Sequence, residues 1–232
     1  MVKFERKDTK KAKLAMDSLQ VAKEKKSTYN TPEVTEALYE MFHGKCYICE
    51  SKTVTSNQIE HLIPHKGNLD LKYDWNNLLW SCAHCNNTKL GNFDPILDCT
   101  KEEVDEVIAF RKEGYFGTKE TFIFEALDNR LETLHTIKLL EAVYNGTTAQ
   151  KKIEAKILRK CVRDEISKFK GIIRDYNDAE GEDKKDLELY VKKELKNTSA
   201  FTAFKRWLIK DHSDYYPEFM QYISDVRGSQ ID

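Results

Sequence analysis

The chain has 232 residues, of which 40% are hydrophobic and 33% are charged, and its formal net charge is −1 at pH 7. This composition is typical of a globular protein with one large domain or two small ones, and the whole chain does not have the basic signature of many nucleic-acid binders. It contains no apolar run of about 18 residues and no apolar signal-peptide core, so we predict neither membrane insertion nor export and expect a cytoplasmic protein.

The N-terminal segment is locally basic. Residues 1–30 contain nine lysine or arginine residues and four acidic ones, which gives this segment a net charge of +5. A solvated helix face and a phosphate-binding arm both explain such a segment, and the sequence does not decide between them.

A helix, two strands and a second helix are predicted between residues 31 and 95. Thr31 as N-cap, Pro32 in the first turn and Gly44 after the last turn predict a helix that ends just before Cys46. The short apolar runs "IEHLI" and "LLW" predict two strands, and a helix is expected to begin near Cys82.

Beyond Asp98 the sequence reads as almost wholly helical. Thr100 and Glu103 resemble a capping box before "VDEVIAF", and Gly146 ends another predicted helix. The apolar spacing in the next long segment predicts a buried helical face, and the aromatic residues near the C-terminus are expected in the core. The predicted face consists of Ile153, Ile157, Cys161, Ile166, Phe169 and Ile173, and the aromatic residues are Phe201, Phe204, Trp207 and Phe219.

Four of the six cysteines form two Cys-x-x-Cys pairs, Cys46 with Cys49 and Cys82 with Cys85. Each pair offers two thiolates to a tetrahedral zinc ion, and four thiolates close the coordination sphere, so such a zinc would be structural. A redox dithiol is the alternative, but that chemistry uses one pair, whereas two pairs bracket a small module here.

The residues between and after these pairs resemble the HNH endonuclease family. The pattern comprises Cys-x-x-Cys, the acid-His-x-x-Pro run "EHLIP", the Asn-Leu of "NNLLW", and "CAHCNNTK", all in order over residues 46–91. The resemblance implies a zinc-clasped ββα-metal finger. The predicted fold class is therefore α+β and predominantly helical, with this finger at residues 45–98 between an N-terminal helical arm (1–44) and a C-terminal helical region (99–232).

The resemblance also implies the catalytic roles. His61 would be the general base that takes a proton from water, and Glu60 and Asn86 would bind a catalytic Mg²⁺ or Mn²⁺. Asn77 would orient the His61 loop. Histidine accepts protons near neutral pH, and carboxylate and amide oxygens are hard ligands, so the residue types suit these roles.

Two further residues are expected at the nucleic acid. Lys89 would lie near the phosphate backbone, and His65 would assist phosphate binding or serve as a substitute base, although an exposed polar loop residue is the simpler interpretation of His65. The family often has Gly directly after this lysine, where Leu90 stands here, and many members carry His at the position of Asn86.

These expectations describe a metal-dependent endonuclease that cuts DNA. The layout is similar to that of the nuclease partner in Septu-type anti-phage defence, which works beside an ABC-family ATPase, and related nucleases occur with retrons. The alternative is a catalytically silent zinc-clasped module that binds nucleic acid or protein.

Overall fold

The computed structural model describes residues 1–114 and 120–228, and for residues 227 and 228 it describes the backbone alone. In chain order the elements are α1 (Lys10–Glu24), α2 (Pro32–Met41), β1 (Asn57–His61), α3 (Leu69–Lys72), a 3-10 turn (Trp75–Asn77), β2 (Leu78–Cys82), α4 (Ala83–Lys89), α5 (Val104–Val107), β3 (Ile108–Glu113), β4 (Thr121–Ala126), α6 (Leu131–Asn145), α7 (Ala149–Asp178), α8 (Gly181–Leu195), α9 (Thr202–Lys210) and α10 (Pro217–Gly228). The predominantly helical α+β class is confirmed.

The predicted order of strand, strand and helix is present in the finger. β1 and β2 pair antiparallel, with Ile59 opposite Trp80 and His61 opposite Leu78. α4 follows at once because Cys82, the last residue of β2, is also the N-cap of the helix. This direct transition places the start of α4 at the second cysteine pair.

A second hairpin corrects the prediction that the chain is helical beyond Asp98. Helix α5 is only four residues long and lacks a side-chain cap, and the chain then enters β3, which pairs antiparallel with β4. Phe122 and Phe124 of β4 pack on Phe204, and Phe110 of β3 does the same. The packing of these aromatic rings stabilises a hairpin where the local sequence pattern favours a helix.

The face predicted for the long helix is partly wrong. Ile153 and Ile157 are 66% and 63% exposed, whereas Phe169 and Ile173 are buried as predicted. The side chains that α7 buries are Ala155, Leu158, Val162, Phe169, Ile173 and Tyr176.

One apolar core connects the finger with the segments on both sides. Its buried residues include Phe4 and Leu38 before the finger, the four paired cysteines, and Phe204 after it. The aromatic residues predicted in the core, Phe201, Phe204, Trp207 and Phe219, are all buried. None of the helices in the described part of the chain combines the length and apolarity that a membrane span requires.

Candidate functional site

The two cysteine pairs come together as one cluster. The sulfur atoms of Cys46, Cys49, Cys82 and Cys85 all lie within 4.8 Å of one another and all four residues are buried. Tetrahedral zinc with Zn–S bonds of about 2.3 Å requires sulfur atoms about 3.8 Å apart, and the Cys49 and Cys82 sulfurs are 3.9 Å apart. The donor set and its spacing therefore fit a four-thiolate zinc.

Backbone contacts attach the first cysteine pair to the strands. The Tyr47 N–H donates to the carbonyl of Trp80 on β2 at 2.9 Å, and the Cys46 N–H donates to the carbonyl of Ser51 at 3.0 Å. The first pair is thus fixed against the strand that leads directly into the second pair.

Glu60 lies inside the finger with a hydrogen bond on each carboxylate oxygen. The Tyr47 hydroxyl donates to Oε2 at 2.6 Å, and the Lys89 ammonium donates to Oε1 at 3.0 Å. Burial raises the pKa of Glu60, and the charge of Lys89 and the hydrogen bond from Tyr47 oppose that rise. Each carboxylate oxygen has a second lone pair, so neither donor uses up the capacity of Glu60 as a ligand.

Lys89 is not where the sequence predicted it. Its side chain is fully buried, and its ammonium also donates to the His61 carbonyl at 3.1 Å and lies 3.3 Å from Asp94 Oδ1. A lysine in this position balances the buried carboxylates, and in this conformation it is closed off from a phosphate backbone.

Asn86 lies on the same side of α4 as Lys89, three residues earlier. Its amide nitrogen donates to Gln58 Oε1 at 2.6 Å. Gln58 and Glu60 are two residues apart on β1 and share one face of the strand. Asn86 and Glu60 thus lie at the same interface between α4 and β1. An amide oxygen and a carboxylate are the kinds of ligand that a hard divalent cation prefers.

His61 is held in one tautomer by a backbone carbonyl. Its Nε2 lies 3.0 Å from the carbonyl of Lys72, which can only accept, so Nε2 carries the proton and Nδ1 holds the free lone pair. Burial is the largest cause of a lowered His61 pKa, and the charges of His65, Lys89 and Lys72 add to it. A neutral ring with a basic Nδ1 is suited to accept a proton.

Asn77 fixes the loop that follows His61. Its amide oxygen accepts from the Ile63 N–H at 2.8 Å, and its amide nitrogen donates to the carbonyls of Ile63 and Leu71, each at 2.9 Å. The residue is buried, so these bonds are shielded from water.

Arg6 and Tyr29 also contact this region, and no sequence motif marks either of them as a site residue. One guanidinium nitrogen of Arg6 donates to the carbonyls of Asn76 and Leu78, on either side of Asn77. The rings of Tyr29 and His61 form a T-shaped pair with a centroid distance of 4.8 Å. Each contact spans more than thirty residues of sequence, and no local motif reports contacts of that kind.

His65 lies beside His61, with ring centroids 4.8 Å apart. Its Nδ1 accepts from the Gly67 N–H at 3.1 Å, which leaves Nε2 as the nitrogen that carries the proton in the neutral ring. His65 is therefore next to the predicted base and half-buried rather than fully exposed.

One buried contact and one partly buried contact join the finger to the region that follows it. Lys45 donates to Glu50 at 3.0 Å and to the carbonyl of Asn197 at 2.8 Å, and burial lowers the Lys45 pKa to about 8. His84 contacts Glu154 of α7 at 2.6 Å through Nδ1 and stays outside the cysteine cluster. Residues next to each cysteine pair thus contact the C-terminal region.

Comparisons with known proteins match the segment that contains these residues. The HNH endonuclease family model matches residues 46–90. The chain is 28% identical over 211 residues to the Septu protein PtuB of Bacillus mycoides strain KBAB4, covering 76% of this chain and 68% of that protein. It is 34% identical over 96 residues to the Septu protein PtuB of Bacillus thuringiensis, covering 38% of this chain and 36% of that protein. No solved structure matches significantly. The chain therefore contains an HNH endonuclease domain at residues 46–90 and is similar to Septu PtuB proteins over much of its length.

Proposed function

We propose that the protein is a metal-dependent endonuclease that hydrolyses DNA phosphodiester bonds, with residues 45–98 as its nuclease module. The observation that carries this proposal is the Nε2 contact of His61 with the Lys72 carbonyl, because it leaves Nδ1 as the basic nitrogen. His61 takes the proton of the attacking water at Nδ1, and Asn77 holds the loop that presents it.

Glu60 and Asn86 hold the catalytic divalent cation in this proposal. Mg²⁺ or Mn²⁺ bound there would stabilise negative charge on the phosphate and the leaving oxygen. Tyr47 orients the carboxylate of Glu60. The zinc on the four cysteines has a structural role, since four thiolates leave no position for substrate.

A silent binding module is the second candidate. It is favoured by the contacts that Glu60 and Asn86 already make with Tyr47, Lys89 and Gln58. Purified protein with supercoiled plasmid and Mg²⁺ or Mn²⁺ distinguishes the two: the nuclease nicks, and loses nicking in EDTA and in Asn86→Ala. A protein that retains zinc, binds the plasmid and never nicks it would be the silent module.

We further propose a role in anti-phage defence beside an ABC-family ATPase, in the cytoplasm, with residues 1–44 as a helical arm and residues 99–232 as the region that binds the partner or DNA. The similarity to Septu PtuB proteins supports this role. Nicking should rise when the chain is co-expressed with such an ATPase, and phage plating should recover when His61 is replaced by Ala. Equal plating on wild-type and His61→Ala cells would contradict it.

A further inference from the structure

The basic N-terminal segment has no part in the chemistry proposed so far, yet the structure places its end beside the His61 loop. The Tyr73 hydroxyl donates to the carbonyl of Ser27 at 2.5 Å, just after α1. The Lys23 ammonium lies 2.6 Å from Asp70 Oδ1 on α3. These two contacts attach the end of α1 to the segment that follows His61.

The same segment forms part of the wall around His61. The rings of Tyr29 and His65 each have their centroid 4.8 Å from the centroid of the His61 ring. Tyr29 and His65 are both partly exposed. These two rings and the exposed residues near them in sequence therefore border one solvent-facing side of His61.

Three lysines near Tyr29 and His65 in sequence have no acidic partner within the described residues. Lys25 and Lys26 follow α1, Lys66 follows His65, and all three are exposed. None of the three forms an ion pair with any residue in the described part of the chain, whereas Lys11 and Lys13 at the other end of α1 pair with Glu40 and Asp8. Positive charge without an ion-pair partner therefore lies at the end of α1 that adjoins the site, and Lys7 and Lys10 at the other end also form no ion pair within the described residues.

We infer that Lys25, Lys26 and Lys66 form a phosphate-contact surface for the backbone of duplex DNA whose scissile bond reaches His61. This inference rests on the proposed function. Lysines at a helix C-terminus also complement the helix dipole, which would explain Lys25 and Lys26 alone. Lys66 lies on a different segment, and the dipole of α1 gives no reason for it.

Salt dependence of binding isolates the contribution of these lysines. Each phosphate contact contributes about 0.9 to the negative slope of log K against log salt concentration on duplex DNA. All proteins carry His61→Ala so that the DNA stays intact. Binding to a labelled duplex is measured by fluorescence anisotropy at several salt concentrations, for the parent and for a variant that combines Lys25→Gln, Lys26→Gln and Lys66→Gln. The matched control combines Lys10→Gln, Lys13→Gln and Lys138→Gln, which removes the same charge. Lys10 lies about 22 Å from Lys25 at 1.5 Å per helical residue.

If the three lysines contact phosphates, the variant that lacks them should show a salt-dependence slope smaller in magnitude by about 2 to 3, whereas the control variant should keep the parent slope. Equal slopes in both triples, with the parent binding DNA, would overturn the surface and leave the proposed nuclease standing. A parent that binds no DNA at any salt concentration overturns the surface, and absence of plasmid nicking by wild type would then overturn the nuclease as well.

Discussion

Tyr47, which lies between the first two cysteines, donates a buried hydrogen bond of 2.6 Å to Glu60, the residue before the predicted general base. The cysteine cluster and the chemical site are therefore one connected unit. Whatever fixes the first cysteine pair also fixes the carboxylate.

Replacing Tyr47 by Phe keeps the ring and removes this bond. A buried acceptor that loses its donor costs about 1–3 kcal/mol, and the orientation of Glu60 is lost with it. We expect nicking to fall about tenfold and the Mn²⁺ concentration for half-maximal nicking to rise, with zinc content unchanged. A titration of nicking against Mn²⁺ measures this, and an unchanged titration curve would show that Glu60 is held without Tyr47.

Lys89→Met tests the buried role of that lysine. Removing the ammonium leaves Glu60 and Asp94 as uncompensated buried carboxylates, so we expect a loss of about 3–5 kcal/mol in the free energy of unfolding. Lys101→Met is the matched control, because Lys101 is 79% exposed and should cost little. Equal melting temperatures for both variants, combined with weaker DNA binding by Lys89→Met alone, would instead support the phosphate contact that the sequence suggested.

The two adjacent asparagines form a natural pair for mutagenesis. Asn77→Ala removes three hydrogen bonds to the His61 loop, so nicking should fall by at least tenfold. Asn76→Ala, at an exposed side chain, should leave nicking unchanged. The comparison uses initial nicking rates with zinc content verified, and similar losses in both variants would argue against a specific role for Asn77.

The pH dependence of nicking follows from the state of His61. An unperturbed imidazole has a pKa of about 6.5, and burial lowers the pKa of His61 below that value. The ring therefore stays neutral, and able to accept a proton, at pH values where free histidine is half protonated. Nicking should persist from pH 8 to below 6.5 and decline only as His61 takes up its proton. Half-loss above pH 6.5, in protein that still holds its zinc, would contradict this assignment.

How far the sequence predicts the structure depends on the range of the interaction. The finger was predictable because its signals are local: Cys-x-x-Cys spacing, apolar strands and a helix that starts at the second pair. The contacts of Tyr47 and Lys89 with Glu60 join residues 13 and 29 positions apart. A lysine at the end of a short helix is exposed by default, and only the buried acids around Lys89 change that expectation.

The C-terminal half shows a different limit. "TFIFEA" alternates aromatic and other residues with the period of a strand, and β4 forms there. This strand signal is local, and the prediction of an almost wholly helical chain beyond Asp98 does not include it. Ile153 and Ile157 have helical spacing and lie on a helix as predicted, but the first half of α7 buries a different face. Which face is buried depends on the helices that pack against α7.

Whether His61 is the base of a nuclease is tested by nicking of supercoiled plasmid with the wild type, His61→Ala and His212→Ala. His212 is exposed, and the one hydrogen bond of its ring within the described structure is to the Leu208 carbonyl, so it serves as the matched histidine control. We expect nicking by the wild type and His212→Ala, and none by His61→Ala, when all three hold equal zinc. Nicking by His61→Ala at the wild-type rate would contradict this expectation.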